Sequence, residues 1–344
     1  MTTFAMQGAI QIRKLQKAYI GREMSLRLAN KLMPMSTENV SSLTYERRNV
    51  TRGVQFARGF GGAAGQIQRP GMSSFQYSPG AYSDEIIIDE NQLRDRRQVG
   101  TWTEYEDEKA VSDDIARQTT DRYLDRYEKN VFDLLCTGGF ELKGGGPGAG
   151  GPTIHRQIFP IRQFTPGVLF NDLNNSTPIQ YFRSLMPLLQ LGVSVDFRIG
   201  WAIANRNTIN NILNNQNTAD VLGRRVNSGD TVNSLAALNQ YLASNDVFQL
   251  TEYHKGWYPE TEGLPMQTFV PDGKILLAGV REDGEPIGKY VLARNANNNN
   301  SAPGDHFVVE DERKKTPPFI KFTAGHVGGP VPEYIEALAL VNAY

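Results

Sequence analysis

The stretch EYEDEKAVSDDIARQTTDRYLDRYEKNVFDLLCTGG, Glu104 to Gly139, decides the architecture. Val111, Ile115, Leu124, Tyr127, Val131 and Leu134 recur at helical spacing, which predicts one helix from about Glu104 to Leu135. Glu104, Glu106, Asp107 and Glu108 crowd its first turns, where the positive end of the helix dipole favours acids, and Gly138 with Gly139 supplies the stop. At about 1.5 Å per residue the helix would be roughly 50 Å long. A compact core needs no element of that length, so it reads as a strut. Arg122, Arg126 and Lys129 follow at i, i+4 and i+7 on one side of it, where pairing within the helix, for instance Asp125 with Lys129, is one reading.

Upstream, Met6 to Met33 is predicted as a helix with an imperfect apolar stripe of Ile10, Leu15, Tyr19, Leu26 and Ala29, ended by Pro34. Its cations, Arg13, Lys14, Lys17, Arg22, Arg27 and Lys31, face one acid, Glu23, and are spread throughout. That pattern is not a secretory signal, and the scarcity of serine argues against a transit peptide. Beyond it, Val54, Phe56 and Arg58 alternate like a strand until Gly59, Gly61, Gly62 and Gly65 interrupt. Pro70, Gly71, Pro79 and Gly80 punctuate the chain before Glu85 to Ile88 resumes a strand. A connection of about 35 residues with so little core is expected to be disordered or to reach a partner.

Downstream, Gly144 to Gly151 reads as a flexible linker or solvent loop. Helix and strand then alternate: helix at Pro178 to Leu191, strand at Phe197 to Ala204, helices at Arg206 to Asn214 and Ser234 to Tyr241. Short strands are expected at Val247 to Thr251, Lys274 to Ala278 and Lys289 to Ala293, with a polar break at Asn297 to Asn300. The end of the chain carries two strands, Thr316 to Phe322 and Tyr334 to Val341, separated by a turn at Gly328, Gly329, Pro330 and Pro332. The fold class is α+β, and no solenoid repeat is visible.

With 344 residues, 40% of them hydrophobic, the chain can bury one large core or two modest ones. Its formal charge of −1 builds in no attraction to phosphate or anionic lipid. One cysteine, Cys136, forms no intramolecular disulfide, and it sits where the helix dipole disfavours a thiolate, so it reads as buried filler. No apolar run is long enough for a membrane span. His155, His254, His306 and His326 are scattered and read as surface or turn residues, not metal ligands. There is no nucleophile elbow and no phosphate loop. Gly59 to Ala64 loosely imitates a dinucleotide fingerprint without the strand-and-helix unit that gives it meaning. No catalytic residue, metal or cofactor is expected.

In this order, the elements resemble those of phage major capsid proteins of the lambda E type, which share the Hong Kong 97-type fold. A basic N-terminal arm leads to a strand pair enclosing a Gly-rich excursion, Arg52-Gly53-Val54 through Asp84-Glu85-Ile86-Ile87-Ile88, and then to the long helix that family calls its spine. Arg198-Ile199-Gly200-Trp201-Ala202-Ile203-Ala204 resembles a strand of the family's axial domain, and Pro271-Asp272-Gly273-Lys274 its turn. The resemblance implies an N-terminal arm at 1–50, an extended loop at 51–94, and a peripheral domain at 95–169 and 301–344 carrying the spine at 104–135. The axial domain would span 170–300. Arg52, Val54, Phe56, Arg58, Phe60, Gly61, Gly62, Phe75 and Tyr77 would lie across an adjacent subunit, burying apolar groups only on assembly. Arg122, Arg126 and Lys129 then acquire a second reading, a basic strip facing packaged DNA or a neighbouring subunit.

The implied function is a structural shell subunit that forms pentamers and hexamers of an icosahedral head around double-stranded DNA. It would assemble in the bacterial cytoplasm with a separate scaffolding protein, a portal and a possible decoration or cement protein, and with no membrane. An encapsulin shell, a tail or decoration protein, and a nucleotide-dependent enzyme using Gly59 to Gly65 are the competing readings.

Overall fold

The computed structural model describes residues 14, 16–48, 72–89, 108–143, 153–190, 197–223, 234–258, 265–281, 286–296, 298, 301–312 and 314–344. In chain order they form α1 (residues 16–26), α2 (Leu28–Leu32), β1 (Met35–Thr37), β2 (Leu43–Arg48), β3 (Met72–Tyr77), β4 (Gly80–Ile88) and α3 (Glu108–Thr137). There follow β5 (Gly139–Lys143), β6 (Thr153–Ile158), β7 (Arg162–Phe164), α4 (Pro178–Gln190), β8 (Phe197–Ala204), α5 (Arg206–Leu213), α6 (Gln216–Gly223) and α7 (Leu235–Ala243). The last part holds β9 (Leu250–Glu252), β10 (Gly256–Trp257), β11 (Gln267–Thr268), β12 (Lys274–Arg281), β13 (Gly288–Leu292), β14 (Asp305–Asp311), β15 (Ile320–Pro332) and β16 (Leu338–Asn342). The chain is a mixed helix-and-sheet protein, as its periodicities predict. It divides into two compact units, the first from residues within 1–43, 78–131 and 290–330, the second from those within 44–77, 132–289 and 331–344.

The first unit is built on a five-stranded sheet in the order β1-β13-β15-β14, with β4 also paired to β15. β1 runs parallel to β13, and β14 antiparallel to β15 from Asp305 opposite His326 to Asp311 opposite Ile320. β4 runs antiparallel to β15, Ile88 opposite Ile320 and Gly80 opposite Gly328. Along β4 the period of two is plain: Ala81, Ser83, Glu85 and Ile87 are exposed while Tyr82, Asp84, Ile86 and Ile88 turn inward. Helix α3 buries Ile115, Leu124, Tyr127 and Val131, the apolar stripe read from the sequence.

The single helix expected from Met6 to Met33 is two among the described residues. It breaks at Arg27, whose backbone is extended (φ −84°, ψ 131°). The break has a cause: Arg27 Nη1 lies 2.6 Å from both Asp125 Oδ1 and Glu128 Oε2 of α3, and the chain leaves the helical path to bring the guanidinium there. α2 stops at Leu32, ahead of Pro34 as predicted. The second correction concerns the end of the chain. Gly328, Gly329, Pro330 and Pro332 form no turn but lie inside the thirteen-residue strand β15. A Cβ on Gly325 would come within 2.2 Å of the Tyr82 carbonyl oxygen, and one on Gly328 within 2.5 Å of that of Val291, so these glycines admit close neighbours instead of reversing the chain.

The second unit holds a sheet in the order β7-β16-β12-β8-β9. β12 is antiparallel to both β16 and β8, while the outer pairs β16–β7 and β8–β9 are parallel. Phe170, Phe182, Leu185, Ile209, Ile212, Leu238 and Leu242 share one buried apolar cluster with Ile275, Leu277 and Val341 of the sheet. The helix starts follow capping chemistry: Asn205 accepts from the Thr208 amide at 2.9 Å, and Ser234 from the Ala237 amide at 3.2 Å. At the other end of α4, both Nη atoms of Arg162 donate to the Leu189 carbonyl at 3.1 Å, a cation on the negative end of the helix. β5 and β6 pair antiparallel, and the Gly-rich stretch at 144–151 between them in sequence lies outside the described residues. Strand β8 and helix α5 stand where predicted; α6, β3 and β14 were not foreseen.

Candidate functional site

Of the residues expected to reach a neighbouring subunit, Arg52, Val54, Phe56, Arg58, Phe60, Gly61 and Gly62 lie outside the described residues. Phe75 and Tyr77 stand on β3, which pairs with β2. Two residues apart, they share a strand face but not a burial. Tyr77 is enclosed, its ring 5.8 Å from that of Phe140 and 5.9 Å, edge-on, from that of Phe159. Ser74, Phe75 and Gln76 are exposed, Phe75 to 39%. β3 is thus anchored at its end by one aromatic and presents another to the outside. In the first unit, β4 pairs with β15 alone among the described residues and exposes Ile87 to 48%. The outer backbone edge of such a strand is a template for another strand.

Two residues of the basic strip of α3, Arg122 and Arg126, are turned toward this edge strand. Arg122 makes two hydrogen bonds to Asp84, Nε to Oδ2 at 2.9 Å and Nη2 to Oδ1 at 3.3 Å. The Arg126 guanidinium stands 5.1 Å from the centre of the Tyr82 ring. Lys129 is half-buried. Asp125, the intrahelical partner considered for Lys129, is engaged with Arg27.

Sequence reasoning missed the polar core beside this strip. His306 and His326, read as surface or turn residues, are buried at 4% and 1% exposure on β14 and β15. Tyr82 Oη donates to Asn130 Oδ1 (3.4 Å), Asn130 Nδ2 donates to Tyr290 Oη (3.1 Å), and Tyr290 Oη lies 2.9 Å from His326 Nε2. Asn295 Nδ2 lies 2.7 Å from His306 Nδ1. Burial, with Arg126 and His306 nearby, pushes the His326 imidazole down to about 3, and burial pulls His306 down as well. The signal that could have found them is parity: Phe322, Ala324 and His326 occupy alternate positions of one strand, and the first two are plainly core residues. His254 is exposed, as expected.

Cys136 is buried, and burial with Asp133 beside it pushes its thiol up to about 12, the state of an inert filler. Among the described residues no group of three or more His, Cys, Asp or Glu side chains is placed to hold a metal ion, and no helix is long and apolar enough to cross a membrane.

No family model and no curated protein matches the sequence. Solved structures do match. A phage-related protein from Bordetella bronchiseptica RB50 superposes with a TM-score of 0.54 at 11% identity, over 96% of each chain. A protein assigned to the capsid of a prophage of E. coli CFT073 gives 0.54 at 12% identity over 92% of each chain. A chain of the cyanophage A-1(L) capsid gives 0.50 at 13% identity over 93% of each. Across nearly their whole lengths, and with few residues in common, these chains and the present one share a fold, that of phage capsid proteins.

Proposed function

We propose that this chain is the major capsid protein of a tailed bacteriophage, of the Hong Kong 97 type: a structural subunit of an icosahedral head enclosing double-stranded DNA. The observation that carries the reading is whole-chain likeness to capsid chains, over more than nine-tenths of both partners, where a shared module would cover only part. In this reading residues 1–50 are the N-terminal arm, 51–94 the extended loop, 95–169 with 301–344 the peripheral domain, and 170–300 the axial domain. α3 is the spine. Phe75, exposed on a strand anchored at Tyr77, is a contact to the adjacent subunit, and the edge of β4 supports a second. A net charge of −1 suits a lining past which DNA must slide. Assembly takes place in the host cytoplasm with a separate scaffolding protein and a portal, and the finished chain resides in the virion.

The test is expression of the chain alone and with the products of neighbouring reading frames, followed by negative-stain electron microscopy. Closed polyhedral shells or sheets of hexamers are expected. Replacing residues 52–69 by a short Gly-Ser linker, which spares β3 and its Tyr77 anchor, is expected to abolish them while leaving a folded subunit. A monomer or small oligomer under every condition would sink the proposal.

A further inference from the structure

His306 and His326 sit on adjacent antiparallel strands, one register step apart: His306 is opposite Gly325, and Asp305 opposite His326. A Cβ on Gly325 would meet the His306 ring at 2.7 Å, so the strand is glycine where that ring lies on it. Every element of the first unit's sheet around the pair contributes to its surroundings. From β4 come Tyr82, its ring 5.2 Å from that of His326, Ser83, whose Oγ is 3.4 Å from His306 Nε2, and Asp84. From α3 come Tyr123, edge-on at 4.8 Å, and Arg126. β13 supplies Tyr290, the segment after it Asn295, and β14 Asp305. Among the described residues, Arg126, Asp84 and Asp305 bring full charge to the two rings.

We propose that His306 and His326, on opposite faces of the sheet, form an acid-operated catch: as neutral rings they hold β4, β13, β14 and β15 together, His326 also against α3, and as cations they release them. The hydrogen bonds carry the argument. Tyr290 Oη accepts from Asn130 and has one proton to donate, and giving it to His326 Nε2 satisfies both groups with the ring neutral. Asn295 Nδ2, oriented also by the Gly304 carbonyl at 3.4 Å, donates to His306 Nδ1. In this arrangement both rings serve as acceptors, a role that only neutral imidazole can fill. Protonated, His306 would turn N–H against the Asn295 amide, and His326, fully buried, would carry its charge away from water with a guanidinium nearby. Both imidazoles are held below their ordinary value near 6.5, His326 at about 3. A depressed histidine contributes full stability above its unfolded value and loses it as pH falls, here through the window from about 6.5 to about 3. Between pH 7 and pH 5 one such histidine raises the opening constant roughly 25-fold, while most carboxylates remain ionised.

Native-state hydrogen exchange on the full chain at pH 7 and pH 5, corrected for the intrinsic rate, tests this. Peptides from Gly80–Ile88, Asp305–Asp311 and Ile320–Pro332 are expected to lose protection about 25-fold or more. Peptides from Phe197–Ala204 and Lys274–Arg281 serve as the internal reference and are expected to change little. His326→Phe, which keeps a ring but cannot titrate, reduces the response to what His306 supplies, and adding His306→Gln flattens it. Equal loss in both sets of peptides, no loss in the wild type, or a full response in a folded His326→Phe variant would each overturn the proposal. Should the variants not fold at pH 7, the wild-type comparison between peptide sets still decides.

Discussion

The second unit closes on an apolar cluster that runs from Phe170 and Phe182 through Ile212 and Leu238 to Ile275 and Val341. The first also buries apolar groups, Ile88, Ile115, Ala116 and Phe322 in one cluster and Leu32, Met33, Leu124 and Val131 besides, and it adds polar groups that fasten its long helix. Arg27 is clamped between Asp125 and Glu128, Tyr127 Oη donates to the Met33 carbonyl at 2.6 Å, and the Tyr82–Asn130–Tyr290–His326 chain ties strand to helix. Apolar burial is non-directional and indifferent to pH, at about 25 cal/mol per Å². A buried hydrogen bond contributes little net but costs much when one partner is lost. The second unit should therefore respond to lost volume, and the first to lost partners and to acid as well.

The contrast is broken most forcefully at Glu128, which is fully buried. Arg27→Met takes a buried cation from that carboxylate and is expected to cost up to about 3–5 kcal/mol. Pairing it with Glu128→Leu should recover part of the loss, because much of the penalty lies in the buried charge that Arg27 no longer faces. Urea unfolding of the single and double variants measures both, and a loss under about 1 kcal/mol for Arg27→Met would mean that the clamp is ornamental. In the second unit Phe182, fully buried against Phe170 and Phe248, is the counterpart. Phe182→Ala is expected to cost about 3–5 kcal/mol as transfer and cavity terms, by the same amount at pH 7 and pH 5. A cost that changes with pH would erase the distinction between the units.

The same contrast explains what could be read from the sequence. Apolar periodicity is a local signal, so α3, β8, α5 and β12 were legible, and the order of elements carried the resemblance that whole-chain superposition supports. Polar partners are long-range: nothing near Arg27 announces that it will leave a helix to meet side chains about a hundred positions away, and nothing near His326 announces Tyr290. Glycine is ambiguous in the same way. Gly328 and Gly329 beside two prolines read as a turn, yet they lie within a strand, which needs Gly325 and Gly328 for the backbone and rings that crowd it from its neighbours. Of the loop residues, Phe75 and Tyr77 could be placed, and only their different depths, not their types, separated anchor from contact surface.

The smallest expected effect tests how deep a polar contact must lie before it fastens anything. The Arg122 and Asp84 side chains are 54% and 44% exposed, and despite the two-pronged geometry water competes for both. Arg122→Ala is expected to cost no more than about 1 kcal/mol, and the cost should shrink with added salt as the charges are screened. That places the pair far below the buried clamp on the same helix, although the distances are nearly alike, 2.9 Å against 2.6 Å. Burial, not proximity, would then set the worth of a charge in the first unit. Urea unfolding at low and high salt reads it directly. A salt-independent loss above about 2 kcal/mol would show that this edge of the unit is fastened by its surface as well. The basic strip would in that case be committed to its own chain, leaving Arg122 unavailable to packaged DNA.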